Sequence, residues 1–557
     1  MKISNKLQRM LFSSLAAGVM TFTPVIYNFD NNHFPMIVSI AHAEIKTYTG
    51  TDTAMCDFGE NDPDIVKKIQ FVAQNRAIQA AKEKAGVYIK SYTKSINAIV
   101  TEDSVSTMTN VIVDVLEVKY KKMPYSAHKA NGDSYGKIGF MYEATVTVKI
   151  DTDDITNYLK DNSNIRAILE SQNKEFEKII AETYREIENI QKNSIKASTK
   201  SEKDKVKDNL DKAYNRILAS QRFEDGNRLA YRKDYQGALS KYNDALKYYP
   251  NSIEIYNNLG YIYSELGRKE AAIAYFTKAI QINPNLSLIY YNRGIVYEDL
   301  GEQKAAIADF DKAIQINPNY AAAYNNRGNA YKRLGNGYAA IADYNKAIQI
   351  NPDLAIAYNN RGFTYSDLGE KRAAIADFDK AIQINPNYAE AYCNRGNAYY
   401  YLGNINSAIS DYTKSIKINP DYSEAYYNRG NAYYYLGNTN AAIEDFTKVI
   451  QINPYYLEAY NNRGISYFSL KNINAAIADF NKAIQIDSNS IQAYSNRGIA
   501  YASLKEYKQA IEDFTKVIQF NPNYADAYYF RGYCYEELGD NKRAQADFAK
   551  AKELGYK

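Results

Sequence analysis

The sequence predicts a mainly α chain: an α-solenoid of about ten helix-turn-helix repeats, preceded by a small α+β domain and a helical spacer. Three observations carry this. A 34-residue period runs from Ala219 to the C-terminus, and "NRGNAYYYLGN" recurs letter for letter at Asn394 to Asn404 and Asn428 to Asn438. The composition is also narrow, with 55 Tyr, no Trp and 12 Pro in 557 residues, the bias that internal repetition produces.

Residues 1–43 read as an export signal. Lys2, Lys6 and Arg9 precede an apolar run from Met10 to Met20, and "AHA" before Glu44 offers small residues for cleavage. The expectation is an exported protein of a bacterial cell envelope or periplasm, with an uncleaved N-terminal anchor as the alternative. Cys56, Cys393 and Cys534 are odd in number and far apart, so no disulfide framework is legible.

Residues 44–160 form the expected α+β domain. "AEIKTYTGTDTAM" and "VIVDVLEVKYKKM" are strand-like, "FMYEATVTVKI" alternates with period two, and Pro63 to Ala85 reads as one helix. Through "KEKAGVYIKSYT" and "VTEDSVSTM" this segment resembles the N-terminal domain of flagellar assembly protein T and related small envelope lipoproteins, which implies docking at an envelope machine. Residues 161–218 lack Gly and Pro and place Leu169, Phe176, Ile180, Ile187 and Ile190 at helical spacing. They predict a helical spacer or hairpin, broken near Lys192 to Lys205, or a coiled coil through which the chain self-associates.

Residues 219–557 hold ten copies, beginning at 219, 253, 287, 321, 355, 389, 423, 457, 491 and 525. Gly occupies position eight and Ala position 20 of every copy, so two antiparallel helices can approach closely. Tyr at positions four and 11, with Phe or Tyr at 24, fills the remaining space. Pro at position 32, replaced by Ser488 in the eighth copy and absent from the last, which ends in "KELGYK", ends the second helix. "AYNNRGNAYKRLGNGYAAIADYNKAIQINP" (Ala323 to Pro352) is similar throughout to the tetratricopeptide repeat. That resemblance implies a superhelix of helix pairs with a groove lined by first helices, binding protein or peptide ligands.

Position seven carries Arg in eight copies, and position 23 is then Asp: Arg293 with Asp309, Arg327 with Asp343, Arg361 with Asp377, Arg395 with Asp411, Arg429 with Asp445, Arg463 with Asp479, Arg497 with Asp513 and Arg531 with Asp547. The exceptions change together, Leu259 with Tyr275 and Asp225 with Lys241. The pattern predicts a salt bridge inside each repeat. A register pairing each Arg with the preceding copy's Asp stays open, but it would leave Arg293 facing Tyr275. An exposed pair contributes about 0 to 1 kcal/mol.

Position six is Asn in eight consecutive copies: Asn258, Asn292, Asn326, Asn360, Asn394, Asn428, Asn462 and Asn496. In similar superhelices, notably that of the O-linked N-acetylglucosamine transferase, such a ladder holds a peptide backbone, and a carboxamide can both donate to and accept from a peptide unit. The alternative is that the ladder ties helix to helix. Specificity is expected from Asn397, Tyr400, Tyr401, Tyr427, Asn431, Tyr434 and Tyr435, beside Cys393, as a Tyr and Asn surface suited to protein or glycan recognition. Covering of neighbouring helices is the bland reading of these Tyr. Elsewhere the groove is mixed in charge, with Lys332 and Arg333, Glu298 and Asp299, and Glu536 and Glu537.

Catalysis, cofactors and metals are not expected. Outside the leader His128 is the single His, read as a loop residue, and no phosphate-binding loop or His and Cys cluster appears. The net charge of +4 is a small remainder of 68 basic and 64 acidic residues, too little to gather nucleic acid. The sequence therefore predicts a non-enzymatic exported scaffold that binds extended polypeptide. The alternatives are an assembly factor docked through its N-terminal module and a glycan-binding protein.

Overall fold

The computed structural model describes residues 45–56, 63–95, 114–128, 134–151, short helical stretches within 181–190, and 199–556. The expected export signal, and Leu169, Phe176 and Ile180 of the spacer, lie outside the described residues. Two compact units divide the chain between Asn336 and Gly337.

The first unit opens with a three-stranded antiparallel sheet in the order β1-β3-β2, made of β1 (Ile45–Cys56), β2 (Asp114–His128) and β3 (Ser134–Asp151). β3 is central, pairing Ile45 with Asp151 on one side and Asp114 with Lys149 on the other. Pro124 is tolerated because β2 is an edge strand, where a missing N–H breaks no inner ladder. His128 ends β2 opposite Ser134 instead of lying in a loop. Helix α1 (Pro63–Ser95) runs ten residues beyond the predicted end at Ala85.

Helix α2 (Lys200–Tyr231) starts inside the segment expected to break the spacer and continues through the predicted boundary at 218 into the first repeat. Thr199 sets its start by a capping box: Glu202 N–H donates to Thr199 Oγ1 at 3.2 Å, and Thr199 N–H to Glu202 Oε2 at 2.9 Å. Val72, Ala73, Ala77, Ala81 and Ala85 of α1 share one buried core with Ile187, Leu210, Ala213, Ile217 and Phe223. Lys68 and Lys82 reach Asp211 and Glu224 at 2.7 Å each. Of the stripe that the coiled-coil alternative would use for self-association, Ile187 is thus buried within the chain and Ile190 packs against the same core. An open end of stacked repeats exposes apolar surface, and α1 covers it here.

Each later repeat has a first helix of 13 residues and a second of 13 or 14, for example Ala389–Tyr401 with Ile405–Ile418, and Ser423–Tyr435 with Thr439–Ile452. Position eight needs Gly because the ring at position 24 lies across it. A Cβ on Gly464 would sit 2.6 Å from Phe480 Cε1, and one on Gly396 2.7 Å from Tyr412 Cε1. The second helix stops at position 30, two residues before the proline, and Asn at position 31 accepts the N–H two residues on, as Asn317 does from Asn319 at 3.1 Å. Asp487 does the same for Asn489 at 2.9 Å, so the helix ending at Ile486 stops although Ser488 has replaced the proline. Within each unit, first helices pack on the next repeat's first helix as well as on their own partner, forming the more closely spaced layer.

Candidate functional site on the first-helix layer

Seven arginines at position seven bind the Asp at position 23 of their own repeat with both oxygens, through Nε and Nη2, at 2.6–2.9 Å. Arg327 and Asp343 belong to different units. In the first repeat Lys241 Nζ stands 3.7 Å from Asp225, the reversed pair. In the second, Tyr275 stacks on Tyr263 with ring centroids 5.1 Å apart, where the other repeats have the ion pair. Burial pulls Arg429 below its ordinary value, but the bonds to Asp445 outweigh it and leave the pKa raised. Burial raises Asp445 in turn, against Arg429. The two shifts point to a pair whose desolvation offsets much of its attraction.

The arginines do more than the sequence reading assigned them. Nη1 crosses to position 25 of the preceding repeat: Arg293 to Thr277 at 2.9 Å, Arg429 to Thr413 and Arg463 to Thr447 at 3.0 Å each, Arg531 to Thr515 at 3.2 Å. Asp311, Asn345, Asp379 and Asn481 accept in the same way from Arg327, Arg361, Arg395 and Arg497. A signal for this was present, since position 25 is Thr, Asp or Asn in nine copies, the tenth carrying Ala549. Tyr rings at positions four and 11 flank the guanidinium, at 5.7 and 5.9 Å for Tyr460 and Tyr467 around Arg463.

The asparagine ladder is placed differently from a peptide-gripping one. Asn258, Asn326, Asn394, Asn428, Asn462 and Asn496 are buried, and Asn292 and Asn360 half-buried. The Nδ2 groups of seven of the eight donate to positions five or nine of the preceding repeat. Asn258 reaches Asn227 at 3.0 Å, Asn292 reaches Asn257 at 2.9 Å, Asn326 reaches Tyr291 at 3.1 Å and Asn394 reaches Asn359 at 3.1 Å. Asn428 reaches Asn397 at 3.0 Å, Asn462 reaches Asn431 at 2.9 Å and Tyr427 at 3.0 Å, and Asn496 reaches Asn461 at 2.8 Å. Position six faces the seam between two first helices, and a carboxamide buried there needs a partner in the protein.

The Tyr and Asn surface divides likewise. Asn397, Asn431 and Tyr434 are buried, and Tyr434 shares a hydrogen bond with Ser469 at 2.8 Å. Tyr427 lies with its ring 5.2 Å from Tyr456 and 5.9 Å from Phe446. Tyr401 and Tyr435 remain 49% and 69% exposed. Tyr400 stands between them, edge-on to each with centroids 6.2 Å away. Cys393 is buried, and burial pushes its thiol up to about 12, so it is inert.

Beside Tyr401 the layer opens into a cavity of about 290 Å³ between the fifth and sixth repeats, lined by the rings of Phe363 and Phe378 and by Asn394 and Asn397. Ser366, Asp367 and Lys371 complete its rim. Lys371 Nζ donates to Ser366 O at 2.6 Å and Ser366 Oγ at 3.0 Å, and stands 4.7 Å over the Tyr401 ring. Burial pulls Lys371 below its ordinary value, with Asp367 acting the other way.

In the other unit Glu298 is 2% exposed, and neither carboxylate oxygen has a hydrogen-bond partner. Arg333 Nε is 3.6 Å away. Burial pushes Glu298 up to about 7, opposed by Arg333 and assisted by Asp299. Among the described residues no group of three or more His, Cys, Asp or Glu is placed to hold a metal ion, and no helix is long and apolar enough to cross a membrane.

Comparison with known proteins agrees with this architecture. The tetratricopeptide repeat model matches residues 321–354, 355–388, 423–456, 457–490 and 491–524. Related repeat models match 226–267, 299–335 and 396–437, then 253–286, then 275–308, 378–410 and 514–546. A search of curated proteins finds no match. Among solved structures, the MamA protein is 31% identical over 30% of this chain and 91% of its own, with a TM-score of 0.29. YrrB, described as a TPR protein with an unusual peptide-binding site, is 26% identical over 35% and 97%, with a TM-score of 0.29. A tetratricopeptide repeat protein from Parabacteroides merdae ATCC 43184 is 23% identical over 44% and 98%, with a TM-score of 0.35. The repeat models together cover residues 226–546 without a gap, more than half of the sequence, and the chain belongs to the tetratricopeptide repeat family.

Proposed function

We propose that this protein is a non-enzymatic scaffold whose first-helix layer, from the fifth repeat to the seventh, holds an extended segment of a partner polypeptide. Repeats of this family generally bind peptides or proteins. The observation that carries the reading is the pair of exposed phenols, Tyr401 and Tyr435, held apart by Tyr400 beside an open cavity. Rigid aromatic rings with polar tips bind at low entropic cost and dominate protein interfaces. The asparagine ladder supports the layer, because seven of its amide nitrogens hold successive first helices in register.

The test is capture of partners by the full chain, compared with Tyr401→Ala and Tyr435→Ala. Binding should fall about tenfold or more for the double variant with unchanged helicity, and undiminished capture removes this surface from the reading. Export to a bacterial envelope belongs to the same proposal, carried by Lys2, Lys6, Arg9, the apolar run and "AHA". Mass spectrometry of the mature N-terminus checks it, and a chain starting at Met1 in the cytoplasmic fraction would refute it. Docking through residues 44–160, as resemblance to flagellar assembly protein T implies, would need a surface other than the α1 face that α2 covers.

A further inference from the structure

Hydrogen bonds fix which end of each carboxamide the cavity between the fifth and sixth repeats receives. Asn394 gives its Nδ2 to Asn359, which leaves Oδ1 as an acceptor without a partner among the described residues. Asn397 Oδ1 accepts from Tyr412 OH at 2.8 Å and from Asn428 Nδ2 at 3.0 Å, leaving its Nδ2 as a donor without one. The network assigns both orientations. Asn394 and Asn397 are three apart on one helix, hence neighbours on its surface. The cavity lining therefore offers one acceptor and one donor side by side, together with two Phe rings.

Charge and size narrow the occupant further. Two of Lys371's three N–H groups go to Ser366, its ammonium faces the Tyr401 ring, and Asp367 lies close enough to act on its charge. The ammonium is thus already engaged within the protein, so the polar groups that an occupant meets are the two carboxamides. A volume of about 290 Å³ falls at the bottom of the range of pockets for small organic ligands, and it suits one large side chain. Glutamine would match the two polar groups but leave the rings uncovered. Phenylalanine would match the rings but leave both carboxamide groups unpaired.

We propose that this cavity is a subsite for a tyrosine side chain of the bound polypeptide. The ring lies against Phe363 and Phe378, and the hydroxyl donates to Asn394 Oδ1 while accepting from Asn397 Nδ2. The inference rests on the reading that the first-helix layer binds polypeptide, and it adds which residue anchors it.

The experiment uses the full chain with p-cresol, toluene and propionamide as probes, observed by saturation-transfer nuclear magnetic resonance. The expected result is p-cresol binding about tenfold tighter than toluene, a ratio one net hydrogen bond supplies, with propionamide weaker than p-cresol. Phe363→Trp, which fills the cavity, should abolish p-cresol binding while leaving the helical spectrum unchanged. Ser366→Leu, three residues along the same helix, fills it from the rim if the first variant folds poorly. Equal binding of toluene and p-cresol, no binding of p-cresol, or p-cresol binding that survives both fillings would overturn the proposal. Those outcomes leave the capture experiment on Tyr401 and Tyr435 free to succeed, so the subsite and the wider reading fail separately.

Discussion

Asn397 Oδ1 accepts two hydrogen bonds at once, from Tyr412 OH within its own repeat and from Asn428 Nδ2 of the next, at 2.8 and 3.0 Å. One buried oxygen thus joins the hairpin's two helices and the seam between repeats six and seven. Asn397→Ala orphans the Tyr412 hydroxyl and leaves Asn428 Nδ2 only the weak acceptor Cys393 Sγ at 3.8 Å, whereas Asn428→Ala leaves Asn397 Oδ1 with Tyr412. The first should cost about 1–3 kcal/mol and the second less, measured as urea denaturation followed by circular dichroism. Equal costs would contradict the shared-oxygen account.

The aromatic stack of the second repeat suggests that the ion pair is replaceable. Asp479→Ala strands a half-buried Arg463 and should destabilise by about 3 kcal/mol or somewhat more. Arg463→Leu combined with Asp479→Tyr reproduces Leu259 and Tyr275, and should recover most of that loss. A double variant no more stable than the single one would show that the second repeat's solution depends on its neighbours.

Glu298 makes stability depend on pH in one window. Its carboxyl is pushed up to about 7 in the folded protein from an ordinary 4.5. Between those values the folded chain holds a proton that the unfolded chain has released, so stability falls as pH rises through the window and levels off above about 7. The facing groups are Arg333 and Asp299, the latter paired with Lys269 at 2.5 Å. Glu298→Gln should remove the dependence and stabilise the unit by on the order of 2–3 kcal/mol at pH 8, with little effect at pH 4.5. Denaturation midpoints of both proteins across pH 4.5 to 8 check this.

Three turns between helices place lysine where seven others place glycine, with Lys471 at φ 61°. A side chain in the left-handed region is strained, while glycine adds entropy to the unfolded chain. Lys471→Gly should therefore stabilise by about 0.5–1 kcal/mol, read from the urea midpoint. A loss of stability would mean that Lys471 makes a contact that outweighs its backbone strain.

The periodic residues told the sequence reader which positions matter but not always which way they face. The Arg and Asp correlation was legible because both partners vary together within one copy, and seven pairs form as expected. The bond from the same arginine to position 25 of the preceding repeat joins two copies, and the only trace of it in the sequence is the run of Thr, Asp and Asn at that position. The ladder from Asn258 to Asn496 was equally visible, yet seven of its eight Nδ2 groups meet the preceding repeat at 2.8–3.1 Å. Whether a polar residue at a helix surface meets solvent or another helix depends on the spacing between repeats, and a period in the sequence does not state that spacing.

By itself the sequence determined the repeat length, the hairpin of each copy and its ring-on-glycine core, because these follow from contacts within 34 residues. Only the tertiary structure decided which tyrosines are covered, that Asn394 and Asn397 turn opposite ends of their amides to one cavity, and that α1 closes the open end of the first repeats. Those outcomes depend on side chains from different repeats competing for the same hydrogen bonds and the same buried space, and that competition is settled only when the hairpins are stacked.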